Sequence, residues 1–130
     1  MPTFKLGHIH LNAHDLDAAV AYYQRMFGAQ LLSKTENLPG RFSATLDING
    51  LRIIISNKMY PLDAPALPAS AQARWGLEHF ALVADDFPAA IADLKAKGAE
   101  FTIEPREFRP GFWIAFVKAP EEVLIEILSA

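Results

Sequence analysis

One segment of this chain recurs 71 residues later, and the repeat constrains the fold more than any other feature. His8-Ile9-His10-Leu11-Asn12-Ala13-His14-Asp15-Leu16-Asp17-Ala18-Ala19-Val20 aligns with His79-Phe80-Ala81-Leu82-Val83-Ala84-Asp85-Asp86-Phe87-Pro88-Ala89-Ala90-Ile91. His8 falls on His79, Asp15 on Asp86, and Ala18-Ala19 on Ala89-Ala90. Each copy reads as a strand, a short turn with Asp as N-cap, and then a helix. A duplicated unit of this kind calls for two similar modules, each a sheet covered by its own helix.

In the first copy, Leu16, Val20, Tyr23 and Phe27 share one apolar face and predict a helix over 16–27, closed by Gly28. In the second, Phe87, Ile91 and Leu94 predict a helix over 87–97, with Pro88 in its first turn and Gly98 as cap. Lys95 and Lys97 stand in the last turn, where the helix dipole favours cations. A short strand is expected after each helix, over 30–34 and 99–103. A hairpin then follows in each half. The first pairs 42–48 with 51–56 around Asn49-Gly50, the strongest two-residue signal for a type I′ turn. The second pairs 112–117 with 123–128 around Ala119-Pro120-Glu121-Glu122. The order is βαβββ, linker, βαβββ: one α+β domain, with module 1 at about 4–57, a Pro-rich linker at 58–74 and module 2 at about 75–130.

Composition narrows the function classes. Twelve Lys and Arg against fifteen Asp and Glu give a net charge of −3, without the basic excess that draws nucleic acid or anionic lipid. No apolar run approaches the roughly 20 residues that span a bilayer, and the first residues lack a signal-peptide pattern. A cytoplasmic protein acting on a small molecule is the expectation. The absence of cysteine removes disulfides, thiolate nucleophiles and iron–sulfur clusters, so any metal must be held by His, Asp, Glu or Gln.

Strand alternation places His8, His10 and Asn12 on one face and Ile9 and Leu11 on the other. In the last strand Val123, Ile125 and Ile127 form an apolar face, while Glu126 shares the opposite face with Leu124 and Leu128. A carboxylate among such neighbours requires a partner, either a metal cation or an Arg such as Arg52. Taken singly, His8 reads as a hydrogen-bonded strand histidine and Glu126 as half of a salt bridge. The equivalence of His8 and His79 changes that reading, because a pseudo-two-fold repeat brings equivalent strands together. Two imidazoles and a carboxylate make a three-ligand set that holds a divalent ion and leaves positions open for substrate.

His10 lies about 7 Å along the strand from His8, too far to ligate the same ion but within reach of a bound substrate. It suits proton transfer near neutral pH, with a merely hydrogen-bonding residue as the alternative. His14, in the turn, is expected to be solvated. Arg41, Arg52, Arg74 and Arg109 are candidates for a substrate carboxylate or ordinary surface charges. Trp75, Phe108, Phe112 and Trp113 either line an apolar pocket or pack the core.

Over its whole length the chain resembles the vicinal oxygen chelate superfamily, which includes glyoxalase I, methylmalonyl-CoA epimerase, extradiol dioxygenases and the bleomycin and fosfomycin resistance proteins. The residues that carry the resemblance are His8, then Asp15-Leu16-Asp17, Tyr22-Tyr23 and Phe27-Gly28. His79 to Asp86 is the second-module counterpart, and Val123-Leu124-Ile125-Glu126-Ile127-Leu128 matches the strand bearing the ligand Glu. The resemblance implies two βαβββ modules forming a metal-binding cup, with His8, His79 and Glu126 holding iron, manganese, nickel or zinc. It also implies a homodimer, since the family commonly pairs modules across two chains.

The departures from the family pattern bear on the reaction. The fourth ligand of glyoxalase I falls at Ile54, which shares a face with Arg52 and Ser56. The Tyr that dioxygenases carry ten residues before the ligand Glu is Phe116, and the phosphonate-binding stretch of fosfomycin enzymes is replaced by Arg106 to Phe112. Around Glu126 the wording is closer to glyoxalase I and the epimerases. The leading expectation is therefore a metal-dependent lyase or isomerase acting on an oxygen-chelating substrate, with Glu126 or His10 moving the proton. The alternatives are an extradiol-type Fe(II) dioxygenase on the same His-His-Glu triad, and a resistance-type protein that binds without turnover.

Overall fold

The computed structural model describes residues 2–3, 5–57 and 76–130, and the chain divides into two units, Met1–Pro65 and Ala66–Ala130. The linker expected over 58–74, together with Arg74 and Trp75, lies outside the described residues. Each unit has the expected βαβββ order. The first contains β1 (Ile9–Asn12), α1 (Leu16–Phe27), β2 (Gln30–Leu38), β3 (Arg41–Ile48) and β4 (Leu51–Ser56). The second contains β5 (Phe80–Ala84), α2 (Phe87–Ala96), β6 (Glu100–Arg109), β7 (Phe112–Ala119) and β8 (Val123–Ser129).

Both helices start where the repeat places an aspartate. Asp15 Oδ1 accepts from the Ala18 backbone N–H at 3.0 Å, and Asp86 Oδ1 from that of Ala89 at 3.1 Å. These caps satisfy N–H groups that the first turn leaves without intrahelical partners. Gly28 closes α1 in the left-handed conformation its place requires. The second helix stops one residue earlier than the apolar pattern suggested, with Lys97 as its C-cap.

Within unit 1 the strand order is β1-β4-β3-β2, with β1 parallel to β4 and the other pairs antiparallel. One face of this sheet carries α1. Ala44, Leu46, Ile53 and Ile55 are fully buried there, and α1 turns Leu16, Ala19, Val20, Tyr23 and Met26 inward. Each large aliphatic side chain so buried contributes roughly 1.5–3 kcal/mol. Met26 takes the place that the heptad-like spacing gave to Phe27, which is half-buried. The other face is helix-free and carries His10, Ile54 and Ser56, as alternation along β1 and β4 requires.

Unit 2 repeats the topology, in the order β5-β8-β7-β6 with β5 parallel to β8. Ala115, Val117, Ile125 and Ile127 are buried on the helix-bearing face, against Phe87, Ile91 and Leu94 of α2. Both strands that follow the helices run well past the expected 30–34 and 99–103. Each lies at a sheet edge, where strand length is limited only by one partner. On β6 the pairing with β7 shifts between Ile103 and Arg106, and Pro105 sits in that shift, where an edge strand tolerates a residue without an N–H. The turn between β7 and β8 is a short 3₁₀ segment, Pro120–Glu122, with Glu121 and Glu122 at φ 63° and 60°.

Candidate active site

The parallel pairing of β1 with β4 places His10 beside Ile54 and Asn12 beside Ser56. From there the Ser56 hydroxyl reaches His10 Nε2 at 2.9 Å and the Ser43 hydroxyl at 2.7 Å. Ser56 is fully buried, so this hydroxyl holds one edge of an imidazole that is otherwise exposed. When Ser56 donates to Ser43 it accepts from His10 Nε2–H, which leaves Nδ1 with the free lone pair. Desolvation first, then the nearby Arg41 guanidinium and His8, holds the His10 pKa below its ordinary value. The ring is therefore neutral at pH 7.

His8 lies one residue before β1 and is exposed, its ring centroid 6.3 Å from that of His10. Arg52 is exposed on β4, and Ile54 is half-buried on the helix-free face, as expected from its alternation with Ile53 and Ile55. His14 is exposed in the turn before α1.

In unit 2, β5 lies parallel to β8 with Ala81 opposite Glu126, so His79 at the strand entrance meets the same carboxylate. His79 Nε2 and Glu126 Oε1 are 3.2 Å apart. Within this unit the partner of Glu126 is His79. Phe116, opposite Glu126 on β7, packs edge-on against the His79 ring with centroids 5.1 Å apart. Around this pair the helix-free face is apolar: Ile114, Phe116 and Leu124 are buried, with Ile103, Phe112 and Leu128 packed against them. Among the described residues His79 Nδ1 is buried without a hydrogen-bond partner, with a Glu78 carboxylate oxygen 3.7 Å away. Phe108 and Trp113 are exposed, and Arg109 stacks its guanidinium 4.5 Å above the Phe112 ring.

A nitrogen and a carboxylate oxygen bound at about 2.0–2.2 Å to one ion are roughly 3.0–3.5 Å apart. The His79–Glu126 spacing fits that donor pair, and the apolar surroundings make a counter-cation favourable. Within neither unit, among the described residues, do three His, Asp or Glu side chains gather into a metal-binding group. The expected set draws His8 from the first unit and His79 and Glu126 from the second. Sequence reasoning missed the two serines and the packing of Phe116 on His79. A serine ending the apolar run of β4 was the one available signal.

Two sheets with a flanking helix apiece, in tandem βαβββ units and with a His–Glu pair on one helix-free face, define a class of fold and site. The family model described as Glyoxalase/Bleomycin resistance protein/Dioxygenase superfamily matches residues 5–127, and the chain belongs to that family. A probable lactoylglutathione lyase of Vibrio cholerae is 28% identical over 139 residues, covering 99% of this chain and 93% of that protein. The lactoylglutathione lyase of Arabidopsis thaliana is 29% identical, and this chain, covered to 94%, spans only 43% of its length. Among solved structures, a glyoxalase family protein from Bacillus cereus superposes with a TM-score of 0.80 at 15% identity, covering 99% of this chain and 95% of that one. The fosfomycin resistance protein FosX from Listeria monocytogenes gives 0.74 at 18% identity, with 99% and 95% covered. These two likenesses establish the fold. Among the described residues no helix is long and apolar enough to cross a membrane.

Proposed function

We propose that the protein is a divalent-metal-dependent lyase or isomerase of the glyoxalase kind, acting on a small substrate that chelates the ion through two oxygens. The observation that carries this reading is the His79–Glu126 pair at 3.2 Å on an apolar face. The lactoylglutathione lyases among its relatives support the reaction class. His8, His79 and Glu126 would hold the ion, which supplies Lewis acidity to a bound carbonyl and so makes the adjacent C–H acidic.

The remaining chemistry belongs to side chains of this chain. Glu126 is one candidate to accept the proton, and His10 is a second, at Nδ1. Ser56 fixes the His10 ring, so its free nitrogen keeps one direction. Ile54 contributes no charge where glyoxalase I carries a fourth ligand, and His10 is the residue directly beside it on β1. In this reading the chain works as a homodimer, and sedimentation returning only monomer would remove that part.

The test is metal analysis of anaerobically purified protein, with hemithioacetal isomerisation followed after reconstitution. Wild type and His14→Ala should carry metal, and His8→Ala, His79→Ala and Glu126→Ala should lose it, because three protein ligands leave no redundancy. Full occupancy in His79→Ala overturns the ligand assignment. Oxygen uptake with catechols, in the absence of isomerisation, overturns the lyase reading in favour of ring cleavage.

A further inference from the structure

The repeat also builds a groove twice, beside the N-terminal end of each helix. In unit 1 it measures about 400 Å³ and is lined by His14, Asp17, Lys34, Phe42 and Asn57 among others. In unit 2 it measures about 540 Å³, with Asp85, Phe87, Pro88, Ile91, Pro105 and Trp113 in its wall. Several lining positions correspond at the 71-residue offset: Asp85 stands at the place of His14, Pro88 at Asp17, Pro105 at Lys34 and Trp113 at Phe42.

The first groove holds a cation of its own. Lys34 Nζ lies 2.8 Å from Asp17 Oδ1 and 5.6 Å from the centroid of the Phe42 ring. In the second groove that lysine is a proline, the ring has become an indole, and the carboxylate has moved from position 88 to position 85. Among the described residues, no Lys or Arg lines it. Asp86 is engaged in capping α2, and among the described residues Asp85 accepts only the Asp86 backbone N–H, at 2.9 Å. Trp113 is 41% exposed, although Ala115 and Val117 on the same face of β7 are fully buried. That face carries α2, so the groove lies on the opposite side of the sheet from Glu126.

We propose that the unit 2 groove is a binding site for a small organic cation, an ammonium group carried on an aromatic body. The ammonium takes over Trp113 the place that Lys34 takes over Phe42, and Asp85 balances its charge. Phe87, Pro88, Ile91 and Pro105 cover the apolar body. Indole is the strongest of the side-chain rings for a cation, and the volume lies in the range of small-molecule pockets. The site is distinct from the His79–Glu126 pair and does not depend on the reaction proposed there.

The experiment uses Trp75→Phe protein, in which Trp113 is the one remaining indole of the chain's two. Its fluorescence is titrated with benzyltrimethylammonium, benzyl alcohol and benzoate, which share a ring and differ in charge. The cation should saturate with an affinity at least about tenfold above the other two. Asp85→Asn keeps the oxygen that receives the Asp86 N–H and removes the charge, and should weaken the cation about three- to fivefold. Pro105→Lys, which restores the lysine of the first groove, should abolish binding. Equal response to the three probes, or unchanged affinity in Asp85→Asn, overturns the proposal.

Discussion

Replacing Ser56 with Ala removes one oxygen from a fully buried position and with it two hydrogen bonds, to His10 Nε2 at 2.9 Å and to Ser43 Oγ at 2.7 Å. A hydrogen bond of this kind contributes a net 0.5–1.5 kcal/mol, so the folded state should lose about 1–3 kcal/mol. For 130 residues, at about 2.1 cal/mol/K of unfolding entropy per residue, that corresponds to a melting temperature lower by about 4–11 °C. Calorimetry and urea denaturation measure the loss, with Ser33→Ala, at an exposed position on β2, as a control expected within about 0.5 kcal/mol. Nitrogen-15 NMR of the His10 ring gives a second, independent signal. With Ser56 present the ring should hold one tautomer, and in Ser56→Ala it should move toward the mixture of a free imidazole. A stability change below about 0.5 kcal/mol together with unchanged His10 ring shifts would refute the idea that Ser56 positions His10.

Three further outcomes follow from the geometry. Ile54→Glu should fold, because the side chain is half-buried on the helix-free face beside His10, and should tighten metal binding; unfolding with unchanged metal affinity would contradict the four-ligand comparison. Gly50→Ala should cost about 1 kcal/mol in urea denaturation through backbone strain alone, since φ is +95° and nothing lies within 4 Å of the added carbon. Tyr23→Phe should be neutral or stabilising by up to about 1–3 kcal/mol, because the Tyr23 hydroxyl is buried without a partner among the described residues; a loss above 1 kcal/mol would show that the hydroxyl is bonded.

Much of the fold can be read along the chain because the forces that set it are local. The Asp15 and Asp86 caps, the helix over Leu16–Phe27 and the Asn49-Gly50 turn each depend on side chains within four residues of the backbone they control. The repeat extends that local information to a whole architecture, since two copies of one pattern must make two copies of one unit. The Ile53-Ile54-Ile55 run even shows which residue faces away from the helix, because alternation has a period of two.

The site is another matter. His10 meets Ser56 across 46 residues of sequence, and His79 meets Glu126 across 47. Both meetings depend on the register of a parallel strand pair, which no turn between neighbours specifies. Edge strands β2 and β6 outran the expected lengths for the same reason: a strand ends where its partner ends, and the partner is chosen in space. Pattern alone left open whether Trp113 lines a pocket or packs the core, and only the fold stands it exposed in a groove while its counterpart Phe42 is covered by Lys34. Burial and charge balance at such places are sums over side chains far apart in the chain, and only the folded sheet performs that sum.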